Sequence, residues 1–249
     1  MTVGIVTNKE KDPALSYTAQ VRDFLIGQGV NIFEDCPTNA DFWVVLGGDG
    51  TMLRCAHIAA MHDIPLLGIN LGVLGFLTDA EKQDGLGVLA KVLAGTYEIE
   101  KRMMLEAAGR LALNDVFVGA AGGLKIFDLY VNNHLLDTIR ADGIIVATPT
   151  GSTAYSLSAG GPLLMPGGQM MVVTPICSHS LSTRPLVIGA ADTVRIVAHQ
   201  ICPIVIDGET IGEARPNTGV FVRKSTHNAK IIKTVPAHLF DVLRKKKFL

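Results

Sequence analysis

Gly47, Gly48, Asp49, Gly50 and Thr51 put three glycines, one carboxylate and one hydroxyl into five consecutive positions. The glycines allow a tight turn and let a ligand approach the backbone N–H groups. A carboxylate in such a turn repels phosphate. Asp49 therefore fits one of two tasks: sharing a cation with a phosphate, or accepting the proton of an attacking hydroxyl. The apolar run Phe42–Leu46 just before the turn reads as a short buried strand, and Met52–Ala60 after it reads as a helix. A helix start presents unpaired N–H groups and the positive end of its dipole, a seat for phosphate. The competing local reading is a plain tight turn with Asp49 as a helix cap.

A second group is the hydroxyl-rich stretch Thr148-Pro149-Thr150-Gly151-Ser152-Thr153-Ala154-Tyr155-Ser156, which follows the apolar run Ile144–Ala147. Loop hydroxyls and amides suit hydrogen bonding to a base or ribose, and Tyr155 can pack on a ring. A loop capping a helix that starts near Thr153 explains the same composition. Asn114-Asp115 and Asp142-Gly143 are turn-like pairs with free carboxylates. His179, in Cys177-Ser178-His179-Ser180-Leu181, is a candidate contact or a satisfied polar histidine. No GxxxxGK[ST] stretch occurs. Gly85–Ala90 fits GxGxxA in letters but follows a charged segment, so it opens an ordinary amphipathic helix. Gly151-Ser152-Thr153 lacks the GxSxG pattern of a serine-hydrolase elbow.

The elements that must hold these groups change character near residue 100. Before it, strands at Val3–Thr7, Val30–Phe33, Phe42–Leu46 and Pro65–Ile69 alternate with helices. The first helix is expected from Asp12-Pro13 to about Gln28, with Gly29 ending it, and another spans Leu86–Leu93. This alternation predicts a parallel sheet, with ligands beyond the carboxyl ends of its strands. After it come short β-branched runs at Leu111–Leu113, Val116–Val118, Ile126–Val131, Ile144–Ala147, Met171–Val173, Thr193–Val197, Ile204–Ile206 and Gly219–Val222. They predict an all-β sandwich, with hairpin turns at Asn132-Asn133 and Asp207-Gly208. Leu239, Phe240 and Leu243 have helical spacing, and Lys245-Lys246-Lys247 would be solvated near that helix's end.

The 249 residues carry 48% hydrophobic and 18% charged side chains and a net charge of −1, the profile of a folded globular chain without a basic field for nucleic acid. Four scattered cysteines without a CxxC pair argue against zinc and a disulfide framework, and for reduced thiols in a cytoplasmic protein. No signal peptide and no membrane span are expected.

Taken in order, these segments resemble the NAD kinase family. The GGDGT turn is followed by the glycine-rich Gly68–Thr78, then by Asn114-Asp115. Ala141-Asp142-Gly143, Thr148–Tyr155 and Ser158-Ala159-Gly160-Gly161-Pro162 form the longest signature, and Pro175–Leu181 and Asp207-Gly208 are weaker matches. The GGDGT turn alone also occurs in lipid kinases and phosphofructokinases. The resemblance implies an α/β N-terminal domain, Rossmann-like and phosphofructokinase-like, over residues 1–99 joined by 233–249, and a β-sandwich over 100–232. It implies phosphoryl transfer from ATP or polyphosphate to the 2′-hydroxyl of the adenosine ribose of NAD, giving NADP, with Mg²⁺ or another divalent cation and no fixed protein-only metal site. It implies a homodimer or homotetramer that binds neither membrane nor nucleic acid.

On that resemblance Asp49 is the base or metal-linked carboxylate, and Gly47, Gly48, Gly50 and Thr51 shape the donor site. Asn114 meets the adenine. Asp115 and Asp142 hold groups towards the nicotinamide end. Thr153, Ala154 and Tyr155 line the adenine pocket beside Ser152 and Ser158, and Arg140 joins the binding set. Many members carry Glu where this chain has Asp115. A lipid kinase and a non-catalytic dinucleotide sensor are the other readings; the polar 148–156 loop argues against the first, and the use of Asp49 against the second.

Overall fold

The computed structural model describes residues 1–72, 75–120, 122–180, 182–234 and 239–245. Val73, Leu74 and Leu181 of the family-like segments, and Lys246 and Lys247 of the tail, lie outside the described residues. The chain divides into two compact units, Met1–Lys101 with His227–Leu249, and Arg102–Thr226.

The first unit opens with β1 (Thr2–Thr7), α1 (Ser16–Gly27), β2 (Asn31–Glu34), β3 (Phe42–Gly47), α2 (Asp49–Met61), β4 (Leu66–Asn70), the two-residue β5 (Ala80–Glu81) and α3 (Gly85–Leu93). The pairs β2–β1, β1–β3, β3–β4 and β4–β5 are all parallel. Every residue of β3 and β4 is buried, as the unbroken apolar runs require of strands covered on both faces. On one face Val3, Ile5, Val44, Leu46, Leu67 and Ile69 pack with Tyr17, Val21 and Leu25 of α1 and Val88, Leu89 and Val92 of α3. Trp43 and Val45, next to these in β3, point the other way and are fully buried.

Two helix starts differ from the sequence reading. α1 begins at Ser16, not Pro13, because Leu15 stands in the left-handed region at φ 51 and interrupts the turn. Asp12 still caps it at longer reach: its carboxylate accepts the Thr18 N–H at 2.9 Å, the Thr18 hydroxyl at 2.7 Å and the Tyr17 N–H at 3.3 Å. Burial alone would raise the Asp12 pKa, but these bonds outweigh it and hold it below the usual carboxylate value. α2 begins at Asp49 rather than after Thr51, with Gly48 at its N-cap. Asp49 is therefore the first residue of the helix and not its cap. At the other end of α1, Gly29 takes φ 72, the left-handed stop expected of it.

The second unit is β-rich. It runs from β6 (Glu98–Ala107) through β7 (Arg110–Ala112), β8 (Asp115–Gly119), β9 (Lys125–Val131), β10 (His134–Ala141) and β11 (Gly143–Ala147). A 3₁₀ turn at Gly151–Thr153 leads to the single-turn α4 (Tyr155–Ser158). Then follow β12 (Met170–Ile176), β13 (Leu186–Gly189), β14 (Val194–Ala198), β15 (Cys202–Ile206), β16 (Glu209–Ala214) and β17 (Gly219–Lys233). One sheet has the order β13-β12-β11-β8-β15-β16, and the other contains β10-β9-β14-β17. Phe127, Leu129, Ile139, Val194, Ile196 and Val222 of the second meet Val116, Val118, Ile144, Val146, Met171, Val173 and Ile206 of the first in one core. This is the expected sandwich. Both expected hairpins form, with Asn132 and Asn133 at φ 50 and 66, and Asp207 and Gly208 at φ 48 and 85.

The far end of β17 returns to the first unit, where Ile231 pairs in parallel with Leu66 of β4. α5 (Leu239–Lys245) follows, with Leu243 buried. Among the described residues no helix is long and apolar enough to cross a membrane.

Candidate functional site

In the first unit the loops after β1, β3 and β4 converge at the carboxyl ends of parallel strands, where ligands bind in such sheets. Gly47 has a packing reason: a Cβ there would collide with the Thr51 side chain. Gly50 has none, since a Cβ on it would meet nothing within 4 Å. A tight turn therefore accounts for Gly47 but not for Gly50, whose bare backbone is open to solvent at the positive end of α2. The Asp49 carboxylate accepts the Phe76 N–H at 2.9 Å and the Leu77 N–H at 3.0 Å, one on each oxygen. Gly75 abuts it so closely that a Cβ would overlap the carboxylate. These bonds orient the Asp49 carboxylate, and among the described residues each oxygen takes one of them, leaving it a further acceptor position.

Three further residues join this cluster, of which Lys11 and Asn8 carried no signal in the sequence, while Asn70 lies in the family-like Gly68–Thr78 segment. The Lys11 ammonium stands over the turn, 2.9 Å from where a Gly48 Cβ would be. Asn70 at the end of β4 accepts the Gly72 N–H at 2.8 Å, and Asn8 after β1 donates to the Thr51 hydroxyl at 3.3 Å. Only the sheet order brings them to Gly48, because β1 and β4 flank β3.

In the second unit the 113–115 segment and the hydroxyl-rich loop interlock. The Thr148 N–H donates to the Asn114 carbonyl at 2.8 Å, and the Thr148 hydroxyl to the Leu113 carbonyl at 2.6 Å. Gly151 lies against the Asn114 carbonyl, where no side chain fits. Ser152 is fully buried; its hydroxyl donates to the Pro149 carbonyl at 2.7 Å and accepts the Leu164 N–H at 2.9 Å. It builds the loop from within. The Thr153 hydroxyl donates to the Thr150 carbonyl at 3.0 Å, and buried Arg102 donates to the Thr150 hydroxyl at 3.2 Å. Tyr155 stays 45% exposed and meets Phe117 edge-on at 5.6 Å. Ala154 is half-buried beside it, and Ser158 is exposed.

Asn114 is half-buried and Asp115 buried. Burial first, then the negative charge of Asp207, pushes the Asp115 pKa up to about 7. Asp207 is raised by burial, but it receives three backbone N–H bonds that favour its charged form. Near neutrality Asp207 is therefore the anion of the pair and Asp115 the proton holder. A carboxyl whose folded pKa lies above its unfolded value of 3.8 adds stability below about pH 4 and loses it as pH rises through 7. Between pH 5 and pH 8 Asp115→Asn should flatten that decline by about 2–3 kcal/mol, at 1.36 kcal/mol per unit; urea denaturation at the two pH values reads the difference.

Asp142 and Arg140 stand elsewhere. In the β8–β11 ladder Ala147 pairs with Asp115 while Gly143 pairs with Gly119, so Asp142 lies at the opposite end from Asp115. Five strand steps separate them, roughly 17 Å. Within this chain the register puts Asp115 beside Asn114 and Asp142 at the far end of the ladder. Arg140 lines a cavity of about 500 Å³ with Asp137, Thr138, His179, Ser180 and Thr183. His179 is exposed, and its N–H donates to the Arg140 carbonyl at 2.9 Å. Among the described residues no group of three or more His, Cys, Asp or Glu side chains could hold a metal.

An α/β unit with an anion-seating turn and a β unit with a polar recognition loop are the parts of a phosphotransferase, and known proteins bear this out. Residues 28–97 match the ATP-NAD kinase N-terminal domain and residues 113–234 the ATP-NAD kinase C-terminal domain. The NAD kinase of Caldanaerobacter subterraneus subsp. tengcongensis is 36% identical, with 98% of each chain covered. That of Moorella thermoacetica is 37% identical over 98% of this chain and 88% of its own. The crystal structure of an NAD kinase from Archaeoglobus fulgidus in complex with ATP superposes with a TM-score of 0.85 at 26% identity, covering 98% of this chain and 99% of that one. Yeast NADH kinase, at 23% identity and a TM-score of 0.86, shares the fold. The protein is an enzyme of the kinase class. It belongs to the NAD kinase family.

Proposed function

We propose that this chain transfers a phosphoryl group from ATP or polyphosphate to the 2′-hydroxyl of the adenosine ribose of NAD, producing NADP. The observation that carries the reading is Asp49: a carboxylate oriented by two backbone N–H bonds, at the start of a 13-residue helix and behind a turn whose Gly50 faces open space. Asp49 accepts the 2′-hydroxyl proton, or shares a divalent cation with the donor phosphates. Mg²⁺ needs only one or two carboxylates when phosphates complete its shell, so the further acceptor positions of Asp49 fit it without a protein cage. When bound, Mg²⁺ would neutralise charge on the transferring phosphate. The helix amides and Lys11 hold the donor, and Gly47, Gly48 and Thr51 set the turn. Asn114, Asp115, Thr153, Ala154 and Tyr155 take the adenosine end of NAD, and Asp142, roughly 17 Å along the ladder, takes the nicotinamide end with Arg140. A homodimer or homotetramer in the cytoplasm completes the proposal.

The test is NADP formation, read by an NADP-specific dehydrogenase, with Mg²⁺ and each donor in turn. No product with ATP, other nucleoside triphosphates or polyphosphate would sink the reading. Gly50→Ala separates ligand approach from fold. It should leave stability equal or raise it by up to about 1 kcal/mol, since alanine suits a helix better. The donor KM should nevertheless rise at least tenfold; an unchanged KM would mean that no phosphate approaches there.

A further inference from the structure

The Leu113-Asn114-Asp115 segment has three backbone N–H groups and three carbonyls, and two residues consume all six. The Asp207 carboxylate accepts the N–H groups of Leu113 at 2.7 Å, Asn114 at 2.7 Å and Asp115 at 3.0 Å. The Asp207 N–H returns a bond to the Asp115 carbonyl at 3.1 Å. Thr148 takes the other two carbonyls, through its hydroxyl at 2.6 Å to Leu113 and its N–H at 2.8 Å to Asn114. Among the described residues the Asn114 and Asp115 side chains receive no such partner, so they are the only polar groups of the segment left for anything else. Asp207 reaches them from the hairpin between β15 and β16, more than 90 residues along the chain, in a left-handed conformation at φ 48.

We propose that Asp207 is a positioning residue for acceptor recognition: its carboxylate gathers three consecutive amides and thereby fixes how Asn114 and Asp115 are presented to the nucleoside of the acceptor. The inference rests on the NAD-binding role given above to Asn114 and Asp115. One carboxylate on three successive N–H groups is a charge-assisted arrangement, stronger than neutral bonds. It ties the connection between β7 and β8 to the β15–β16 hairpin. Charged groups on flanking strands are paired elsewhere. Glu209 of β16 pairs with Arg110 of β7 at 2.9 Å, and Arg102 of β6 bonds Thr150. None of them substitutes for Asp207 at the three amides.

Asp207→Asn keeps the shape but offers one acceptor oxygen in place of two, and turns an amide NH₂ towards a backbone N–H. The NAD KM should rise at least tenfold while the ATP or polyphosphate KM stays within twofold. A merely structural role would lower kcat with the folded fraction and leave both KM values alone; that result overturns the proposal. Should Asp207→Asn fail to fold, hydrogen exchange in the unsubstituted, NAD-free protein decides. Slow exchange of the Leu113–Asp115 amides supports a clamp formed before NAD arrives, and exchange at the rate of an open loop overturns it. An unsubstituted enzyme that makes no NADP would instead refute the functional reading, so the two failures are distinct.

Discussion

Asp49→Asn is expected to lower kcat by about 10²–10⁴-fold, the range of a positioned general base. The loss should appear with NAD and donor both saturating, because the substitution leaves the acceptor loop in the other unit untouched. The geometry adds a second consequence. Each carboxylate oxygen accepts one backbone N–H, from Phe76 and from Leu77. An asparagine can satisfy only one of them and turns its NH₂ group against the other. Losing a charge-assisted bond of this kind costs about 1–3 kcal/mol, so the variant should also unfold at lower urea. Stopped-assay kinetics beside urea denaturation separate the two effects. A variant that is destabilised yet fully active would confine Asp49 to holding the Phe76–Leu77 segment and remove it from the chemistry.

Gly151→Ala is the second substitution with a large expected effect. The new Cβ would overlap the Asn114 carbonyl. That carbonyl is fixed from the other side by the Thr148 N–H at 2.8 Å. Backbone faces backbone here, so neither partner can rotate away, and overpacking of this kind costs about 1–3 kcal/mol. Asn114 must shift to relieve it, which should raise the NAD KM at least tenfold. Gly167→Ala is the control, because a Cβ at Gly167 meets nothing within 4 Å; its stability and both KM values should match the parent. Equal NAD KM values for Gly151→Ala and the parent would show that the Asn114 position does not govern acceptor binding.

Three of the strands that sequence reading missed share a place in the sheets, while the ten-residue β6, paired with both β7 and β17, was missed as well. His134–Ala141, Leu186–Gly189 and Glu209–Ala214 are edge strands, each paired on one side only. His134–Ala141 and Glu209–Ala214 expose most of their side chains, so no apolar alternation marks them, and only the neighbouring strand makes them strands. Leu186–Gly189 is a short apolar run that the reading passed over. The interior strands were legible because burial on one or both faces leaves its period in the residues. The short reading of β17 has the same origin. Its first residues, Gly219–Val222, carry the β pattern, while Arg223–Asn228 is largely polar and exposed.

Within the site the division falls between chemistry and aim. The residues alone determined that a glycine turn with a carboxylate follows a buried strand, that a hydroxyl-rich loop with a tyrosine follows another, and that an α/β half precedes a β half. Residue type and local period carry such facts, since turns, caps and buried strands depend on near neighbours. Tertiary structure decided what each group points at. Asp49 is oriented by amides 27 and 28 positions away, and Asn114 by a carboxylate 93 positions away. Lys11 comes to the turn through sheet order, and Asp115 is separated from Asp142 by the register of one ladder. Hydrogen bonds between distant segments leave no periodic trace in the chain. They exist only once strands have chosen neighbours and register, and that choice places these carboxylates.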